Sequence, residues 1–162
     1  MQRNQPLKIK SQSLKINNAV FRIGIAVAEF NADVTEKLLA GARAELRARN
    51  VPRKNITVAR VPGSFELPLA CRRMAETGKY RALVALGCII KGETDHYRYI
   101  AAEAARGIMA VMLASGTPIG FGVLTCDTLA QAQARSSGAQ NKGAEAARAA
   151  LQMLSARDNT GR

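Results

Sequence analysis

The sequence predicts an α/β protein in which helices cover both faces of a parallel, four-stranded sheet. Four short apolar segments rich in β-branched residues alternate with longer segments whose apolar residues recur at helical spacing. Strands that alternate with helices form parallel sheets, and right-handed crossovers favour a doubly wound arrangement. The length of 162 residues fits one domain with one core. The expected architecture is therefore a three-layer α/β/α fold with a flavodoxin-like core sheet.

The first strand and the first helix are predicted over residues 21–28 and about 31–50. Residues 21–28 are short, apolar and β-branched, as in a buried strand. Asn31 or Asp33 can cap the helix that follows. The apolar residues of this helix recur at every fourth position: Val34, Leu38, Ala42 and Leu46. The helix therefore has one apolar face, which the sheet can bury.

The middle of the chain is predicted to contain a strand, a helix and a second strand. Residues 56–61 form the second strand of the sheet, and residues 65–77 form a helix that stops at Gly78. Pro68 falls in the first turn of this helix, where a missing N–H group costs little. Residues 82–90 are the most apolar strand of the chain.

The last part of the chain is predicted to contain three helices and the fourth strand. Residues 97–114 are rich in alanine and helical, and residues 119–125 form the fourth core strand. A short helix follows over residues 127–136. Gly138 breaks the helical pattern, and residues 143–155 form a final alanine-rich helix.

The formal net charge of +12 suggests a polyanionic partner or anionic substrates. Part of the charge lies near the start of the chain, where five cationic residues occur without an acidic one. We expect a basic, flexible arm over residues 1–19, one domain over residues 20–157 and a tail over residues 158–162. A solvated arm and a functional basic patch remain alternatives for the first segment.

Several classes of protein are disfavoured by the sequence. No apolar run reaches the length of a membrane span, and the N-terminus lacks the apolar stretch of a signal peptide, so we expect a cytoplasmic protein. Cys71, Cys88 and Cys126 are odd in number and widely spaced, which fits buried hydrophobes rather than a disulfide framework or a zinc site. Neither GxGxxG nor a P-loop occurs, and we expect no cofactor and no metal.

Ligands of doubly wound sheets bind beyond the carboxyl ends of the strands, and polar and aromatic residues follow each predicted strand. These segments are residues 29–31, 61–66, 91–96 and 126–127. His96 is the only histidine, and an imidazole side chain can both accept and donate a proton, which suits proton transfer. Residues 92–94 contain a flexible glycine before a helix, where backbone N–H groups can hold a phosphate. A helix-start residue without a catalytic role is the alternative for His96.

Three further residues are candidates for ligand binding. Phe30 can offer a ring face to a flat heterocycle, although a lone phenylalanine is more often part of a core. Arg135 and Lys142 flank the break between the last two helices. Arginine suits bidentate phosphate binding and lysine supplies a point charge, but both residues also fit an ordinary solvated surface.

Together these segments resemble the lumazine synthase (6,7-dimethyl-8-ribityllumazine synthase) family over about residues 20–155. The matching stretches are EFN at 29–31, VPGSFELP at 61–68, LG at 86–87, IKGETDH at 90–96, FG at 121–122 and NKG at 141–143. A chance match to all of them is not expected. Two features depart from the family pattern. The spacing from Arg135 to Lys142 is one position shorter than is common, and residues 136–140 read SSGAQ instead of an Ala-Gly-rich stretch.

The resemblance implies a role for each matching residue. His96 would be the general acid and base. The residues implied to contact the pyrimidine or its ribityl chain are Phe30, Asn31, Ser64, Phe65, Glu66, Cys88, Ile89, Ile90, Phe121 and Lys142. The residues implied to bind phosphate are Glu93, Thr94 and Arg135. Phe121, Arg135 and Lys142 would come from the neighbouring subunit, so the site would be shared.

The implied reaction joins 5-amino-6-(D-ribitylamino)uracil to 3,4-dihydroxy-2-butanone 4-phosphate. It gives 6,7-dimethyl-8-ribityllumazine, phosphate and water, the penultimate step of riboflavin biosynthesis, and would make the chain a transferase. The family also implies a homo-oligomer, either a pentamer or a 60-subunit icosahedral shell, with riboflavin synthase as a candidate partner. An N-terminal strand from or to a neighbouring subunit would then extend the sheet.

Two other functions remain on the same fold. One is a nucleic-acid-binding module, which the charge favours but which lacks an aromatic-rich basic strand and a recognised binding motif. We therefore do not expect a nucleic-acid partner. The other is a shell-forming protein whose main role is assembly, and this role can coexist with catalysis.

Overall fold

The computed structural model describes residues 21–159 and the side chains of residues 21–156. The strands are β1 (Ile23–Ala28), β2 (Ile56–Val61), β3 (Ala82–Ile90) and β4 (Ile119–Cys126). The helices are α1 (Ala32–Ala48), α2 (Leu67–Glu76), α3 (His96–Ser115), α4 (Leu129–Arg135) and α5 (Lys142–Asn159). The predicted arm at residues 1–19 lies outside the described residues, and so does the predicted N-terminal strand.

The four strands form one parallel sheet in the order β2-β1-β3-β4. Two buried clusters line its opposite faces. One contains apolar residues of α1, α4 and α5, and the other contains apolar residues of α2 and α3. The predicted three-layer α/β/α fold is therefore confirmed. None of the described helices is long and apolar enough to cross a membrane.

The two central strands are buried on both faces, which explains why their sequences show apolar runs instead of alternation. In β1, Ile25 and Val27 face the cluster with α1 and α5, while Ala26 faces the cluster with α2. The edge strand β4 differs, since Phe121 and Thr125 are exposed. The chain crosses from the centre of the sheet to this edge through α3, and among the described strands β4 pairs with β3 alone.

The predicted bounds of β2 and β3 agree with the structure, whereas β1 begins two residues later than predicted, β4 ends one residue later, and the helix starts differ. A 3₁₀ turn, Ser64–Glu66, occupies the predicted start of the second helix, and α2 begins at Leu67. Helix α5 begins at Lys142 and continues beyond the predicted end. The predicted side-chain cap of α1 is wrong. Asn31 precedes α1 in the left-handed conformation, with φ 59°, and makes no capping hydrogen bond with its side chain in the described structure.

Candidate active site

A cavity of about 440 Å³ lies beyond the carboxyl ends of β1, β2 and β3. This volume falls within the range of small-molecule sites, roughly 300–1,000 Å³. Its lining residues are Phe30, Gly63, Ser64, Phe65, Glu66, Cys88, Ile89, Ile90, Gly92, Thr94, His96, Tyr97 and Ile100. Most of the predicted site residues therefore meet in one place. We call this space the strand-end cavity.

Two aromatic rings at the strand-end cavity are exposed. Phe30 is 71% exposed and Phe65 is 54% exposed, so neither ring belongs to the core. The backbone holds Phe30 in place, because its N–H group donates a hydrogen bond to the Pro62 carbonyl at 3.0 Å. An exposed ring on a fixed backbone favours a ligand-binding role over the alternative of a core phenylalanine.

Asn31 does not line the cavity but stabilises the strand end behind it. Its Nδ2 atom donates a hydrogen bond of 2.8 Å to the carbonyl of Cys88, which lies near the end of β3. The left-handed backbone of Asn31 directs the side chain across the sheet, and asparagine tolerates this conformation better than most residues. Asn31 therefore joins the loop that carries Phe30 to the strand that carries Cys88.

Ser64 is the buried polar residue of the cavity wall, with 5% of its surface exposed. Glycine at position 87 leaves room for the Ser64 side chain, because a Cβ atom at Gly87 would lie 2.5 Å from the Ser64 hydroxyl oxygen. The LG stretch noted in the sequence thus has a packing reason. Glu66 follows on the same 3₁₀ turn and is partly exposed at the cavity.

His96 begins α3 and is exposed at the cavity. Two long contacts hold the turn that precedes His96. The His96 N–H group lies 3.5 Å from the Thr94 hydroxyl, and Asp95 forms an ion pair of 3.5 Å with Arg98. Glu93 lies in this exposed turn but does not line the cavity. The backbone N–H groups of the turn remain close to the start of a 20-residue helix, where an anion is favoured.

The cysteines are unsuited to nucleophilic chemistry. All three are free and buried, as predicted. Burial raises the pKa of Cys71 to about 12, and burial together with the nearby Cys126 raises the pKa of Cys88 to about 11. Burial also raises the pKa of Cys126. The Cys88 thiol at the strand-end cavity therefore stays protonated near neutral pH, and it contributes volume and backbone groups to the site.

Phe121, Arg135 and Lys142 form a second, separate group. They line a cavity of about 270 Å³ along the outer edge of β4, together with Thr125 and Glu145 among others. Among the described residues, the two cavities share no lining residue. The structure thus brings these three residues together but does not bring them to His96 within one chain. We call this second group the edge cluster.

The edge cluster is open and cationic. Phe121 is 48% exposed. Arg135 is exposed and donates a hydrogen bond from one guanidinium nitrogen to the Gln131 carbonyl at 3.0 Å. Lys142 Nζ lies 2.5 Å from the Glu145 carboxylate. A guanidinium held by a single neutral oxygen retains donors for a phosphate, since arginine has five N–H donors.

Several residues at these sites were not predicted from the sequence. Tyr97 and Ile100 line the strand-end cavity, and Ile100 lies one helical turn after His96 on the same face. Glu145 pairs with Lys142 at the start of α5. Helical spacing from His96 and from Lys142 could have indicated both Ile100 and Glu145.

A larger groove, of about 650 Å³, lies away from the strand ends between α1 and the start of α5. Four alanines line much of it, and it contains none of the predicted site residues. Because parallel α/β sheets place their ligands at the carboxyl ends of strands, the strand-end cavity remains the candidate site. The molecule therefore belongs to the class of doubly wound α/β proteins with a small-molecule site at the strand ends.

Comparison with known proteins defines the particular family. The family model described as 6,7-dimethyl-8-ribityllumazine synthase matches residues 20–158. A 6,7-dimethyl-8-ribityllumazine synthase from Halorhodospira halophila is 46% identical over 134 residues, which cover 82% of this chain and 86% of that protein. The chain belongs to the 6,7-dimethyl-8-ribityllumazine synthase family. The predictions of this family and of a transferase of riboflavin biosynthesis are confirmed.

Proposed function

We propose that this protein condenses 5-amino-6-(D-ribitylamino)uracil with 3,4-dihydroxy-2-butanone 4-phosphate at a site shared between neighbouring subunits. One observation supports the proposal that the site is shared. The strand-end cavity holds His96 and the exposed aromatic rings, whereas Phe121, Arg135 and Lys142 lie together on the far edge of the sheet. A heterologous ring places the edge cluster of one subunit against the strand-end cavity of the next and makes every site equivalent.

The chemistry requires little covalent participation by the protein. The amine of the pyrimidine attacks the ketone and forms an imine with loss of water. Phosphate then leaves, and ring closure with a further loss of water completes the lumazine. The substrate supplies the nucleophile, which agrees with the raised pKa of the Cys88 thiol. His96 is exposed at the cavity and can move protons between the reacting atoms.

Orientation of the two substrates is the main contribution that we assign to the site. Holding two reactants in the correct geometry can contribute roughly 7–11 kcal/mol in favourable cases. Phe30 would stack on the pyrimidine, and Ser64 with Glu66 would contact the ribityl chain or the ring edges. Ile89, Ile90 and the backbone of Cys88 would form the wall behind the ring.

Phosphate would be held from both subunits. In one subunit, the Glu93 backbone and the Thr94 hydroxyl lie at the exposed turn before α3. In the next subunit, Arg135 would supply a bidentate guanidinium, and Lys142 would face the pyrimidine. Hydrogen-bond donors from one subunit and the positive charge of Arg135 from the next would stabilise phosphate as it leaves.

The assembly that we propose is a pentamer, which can associate further into a 60-subunit icosahedral shell. Exposed apolar side chains on α3 support a subunit contact, because Tyr99, Met109 and Leu113 are 69%, 50% and 76% exposed. Riboflavin synthase, which would use the product, is the proposed protein partner. A cytoplasmic location is part of the same proposal, since the reaction belongs to small-molecule metabolism. Light scattering and native mass measurement distinguish the pentamer from the shell.

Complementation between two inactive variants tests the shared site. His96→Ala and Arg135→Ala are prepared separately, unfolded, mixed equally and reassembled, and formation of the lumazine chromophore is followed. A site works when its histidine and its arginine both come from unaltered positions. With random mixing we expect about a quarter of sites to recover.

Two controls complete this experiment. Each variant reassembled alone should stay at the spontaneous rate of condensation, which is subtracted throughout. Mass measurement must confirm that mixed rings form. If mixed rings stay at the baseline of the separate variants, then Arg135 acts within its own subunit and the shared site is wrong.

A further inference from the structure

Asn141 lies between the two cations of the edge cluster and is buried, with 9% of its surface exposed. Its Nδ2 atom donates two hydrogen bonds, one to the Ser136 carbonyl at 2.5 Å and one to the Lys37 carbonyl at 2.9 Å. Its Oδ1 atom accepts a hydrogen bond from the Ala144 N–H group at 3.1 Å. Both N–H bonds of the amide are therefore used, and its oxygen is bound as well.

Each partner of Asn141 belongs to a different helix. The Ser136 carbonyl follows Arg135 directly at the end of α4. Lys37 lies within α1, and Ala144 lies in the first turn of α5, whose first residue is Lys142. One side chain thus connects the end that carries Arg135 and the start that carries Lys142 to the same point on α1.

The surrounding backbone is shaped to admit this side chain. Gly41 lies one turn after Lys37 on α1, and a Cβ atom there would lie 2.2–2.5 Å from the amide atoms of Asn141. At Gly143, a Cβ atom would lie 2.0 Å from the Leu38 carbonyl oxygen. Glycine at these two positions lets α1 and α5 approach closely. The intervening residues 137–140 are exposed, so Asn141 is the buried contact of this segment.

We propose that Asn141 is a positioning residue that sets the relative placement of Arg135 and Lys142 at the substrate site. The inference rests on the proposed function, in which these two cations bind phosphate and pyrimidine. A merely structural asparagine would affect stability alone. A positioning asparagine also controls where the Arg135 guanidinium meets phosphate, because the bond to the Ser136 carbonyl holds the adjoining residue.

Asn141→Ser is the first test variant. Serine keeps an acceptor that can cap α5, which preserves Lys142, but its single, shorter hydroxyl cannot replace the two amide donors, so the end of α4 is released. We expect the KM for the sugar phosphate to rise by about ten- to a hundredfold, because small misplacement of a binding group has effects of this order. Inorganic phosphate, measured by calorimetry on the assembled protein, should bind more weakly by a similar factor. The KM for the pyrimidine should change less.

Leu46→Val is the matched control for stability. Leu46 is buried in the contact between α1 and α5, roughly 13 Å along α1 from Lys37. This variant should unfold more easily while it keeps the phosphate affinity of the unaltered protein. If Asn141→Ser and Leu46→Val lose phosphate affinity equally, or if Asn141→Ser changes neither the KM nor phosphate affinity by more than about twofold, the positioning role is wrong.

Gly41→Ala disturbs the same contact from α1, and it provides a second test if Asn141→Ser does not fold. Its added methyl group would displace the Asn141 amide, so we expect the same loss of phosphate affinity. In an Asn141→Ala background, the added methyl group meets empty space and should cause little further loss. Additive losses of affinity in the two variants would show that the contact does not control phosphate binding.

The proposed function has a separate readout. If the unaltered protein makes no lumazine from the two substrates, the proposed reaction fails, whereas phosphate calorimetry still reports on Asn141. If the unaltered protein is active and phosphate affinity is independent of Asn141 and Gly41, only the positioning role fails.

Discussion

The strand-end cavity and the edge cluster are built in different ways. The strand-end cavity is formed by the three loops that follow β1, β2 and β3 at one edge of the parallel sheet, and backbone bonds such as Phe30 N–H to the Pro62 carbonyl hold those loops together. The edge cluster lies on the surface beside β4, and its cations are held by helix ends. Under the proposed function these are two half-sites, and the edge cluster of one subunit would complete the strand-end cavity of the next.

His96→Gln should give the largest change at the strand-end cavity. We expect turnover to fall by roughly 10²-fold if proton transfer limits the rate, with little change in fold or in pyrimidine binding. Initial rates of lumazine formation, corrected for spontaneous condensation, measure this effect. Arg72→Gln is a suitable control, because Arg72 is exposed on α2, pairs with Glu76 and lines neither cavity. Full activity of a folded His96→Gln protein would remove His96 from the mechanism.

Phe30→Ala should raise the KM for the pyrimidine by about tenfold or more, since stacking on an aromatic ring contributes roughly 1–3 kcal/mol per base. Stability should change little, because the ring is 71% exposed. Phe30→Tyr keeps the ring and serves as the control. An unchanged KM in Phe30→Ala would place the pyrimidine elsewhere and would weaken the contrast between the two half-sites.

Substitutions of Asn31 should have a smaller effect, and they test whether its hydrogen bond and its left-handed backbone stabilise the wall of the strand-end cavity. Asn31→Gly loses the hydrogen bond to Cys88 but tolerates the left-handed backbone, and we expect a loss of about 1 kcal/mol in the free energy of unfolding. Asn31→Ala should lose roughly 1–2 kcal/mol more, since alanine disfavours this backbone conformation. Denaturant unfolding at one fixed protein concentration makes the comparison. Equal losses would contradict the role of backbone strain.

The smallest expected effect concerns the thiols. The pKa values of Cys88 and Cys71 are raised to about 11 and about 12, so the thiolate fraction is small below pH 9 and rises only at higher pH. We expect an alkylating reagent at pH 8 to leave both thiols of the folded protein unmodified and its activity unchanged. Mass spectrometry before and after unfolding checks this expectation. Rapid alkylation of Cys88 in the active protein would show that the strand-end cavity opens.

Much of the fold and part of the site could be predicted from local patterns. The bounds of β3 agree with its apolar segment because burial on both faces requires continuous apolar residues. The position of ligand sites at the carboxyl ends of parallel strands also predicted that Phe30, Ser64 and His96 lie at one edge of the sheet, and they line one cavity. The predicted helix starts agreed less well with the structure, because a helix cap depends on a single side-chain contact, and Asn31 does not make one.

By itself, the sequence determined the order of strands and helices, the buried faces and the residues that follow each strand. These properties depend on the period of apolar residues and on turn residues, which are local. Only the tertiary structure decided that Asn31 bonds to Cys88, that Asn141 connects three helices, and that Arg135 lies away from His96. Each of these outcomes depends on packing between residues distant in sequence, and hydrophobic periodicity contains no information about such pairs.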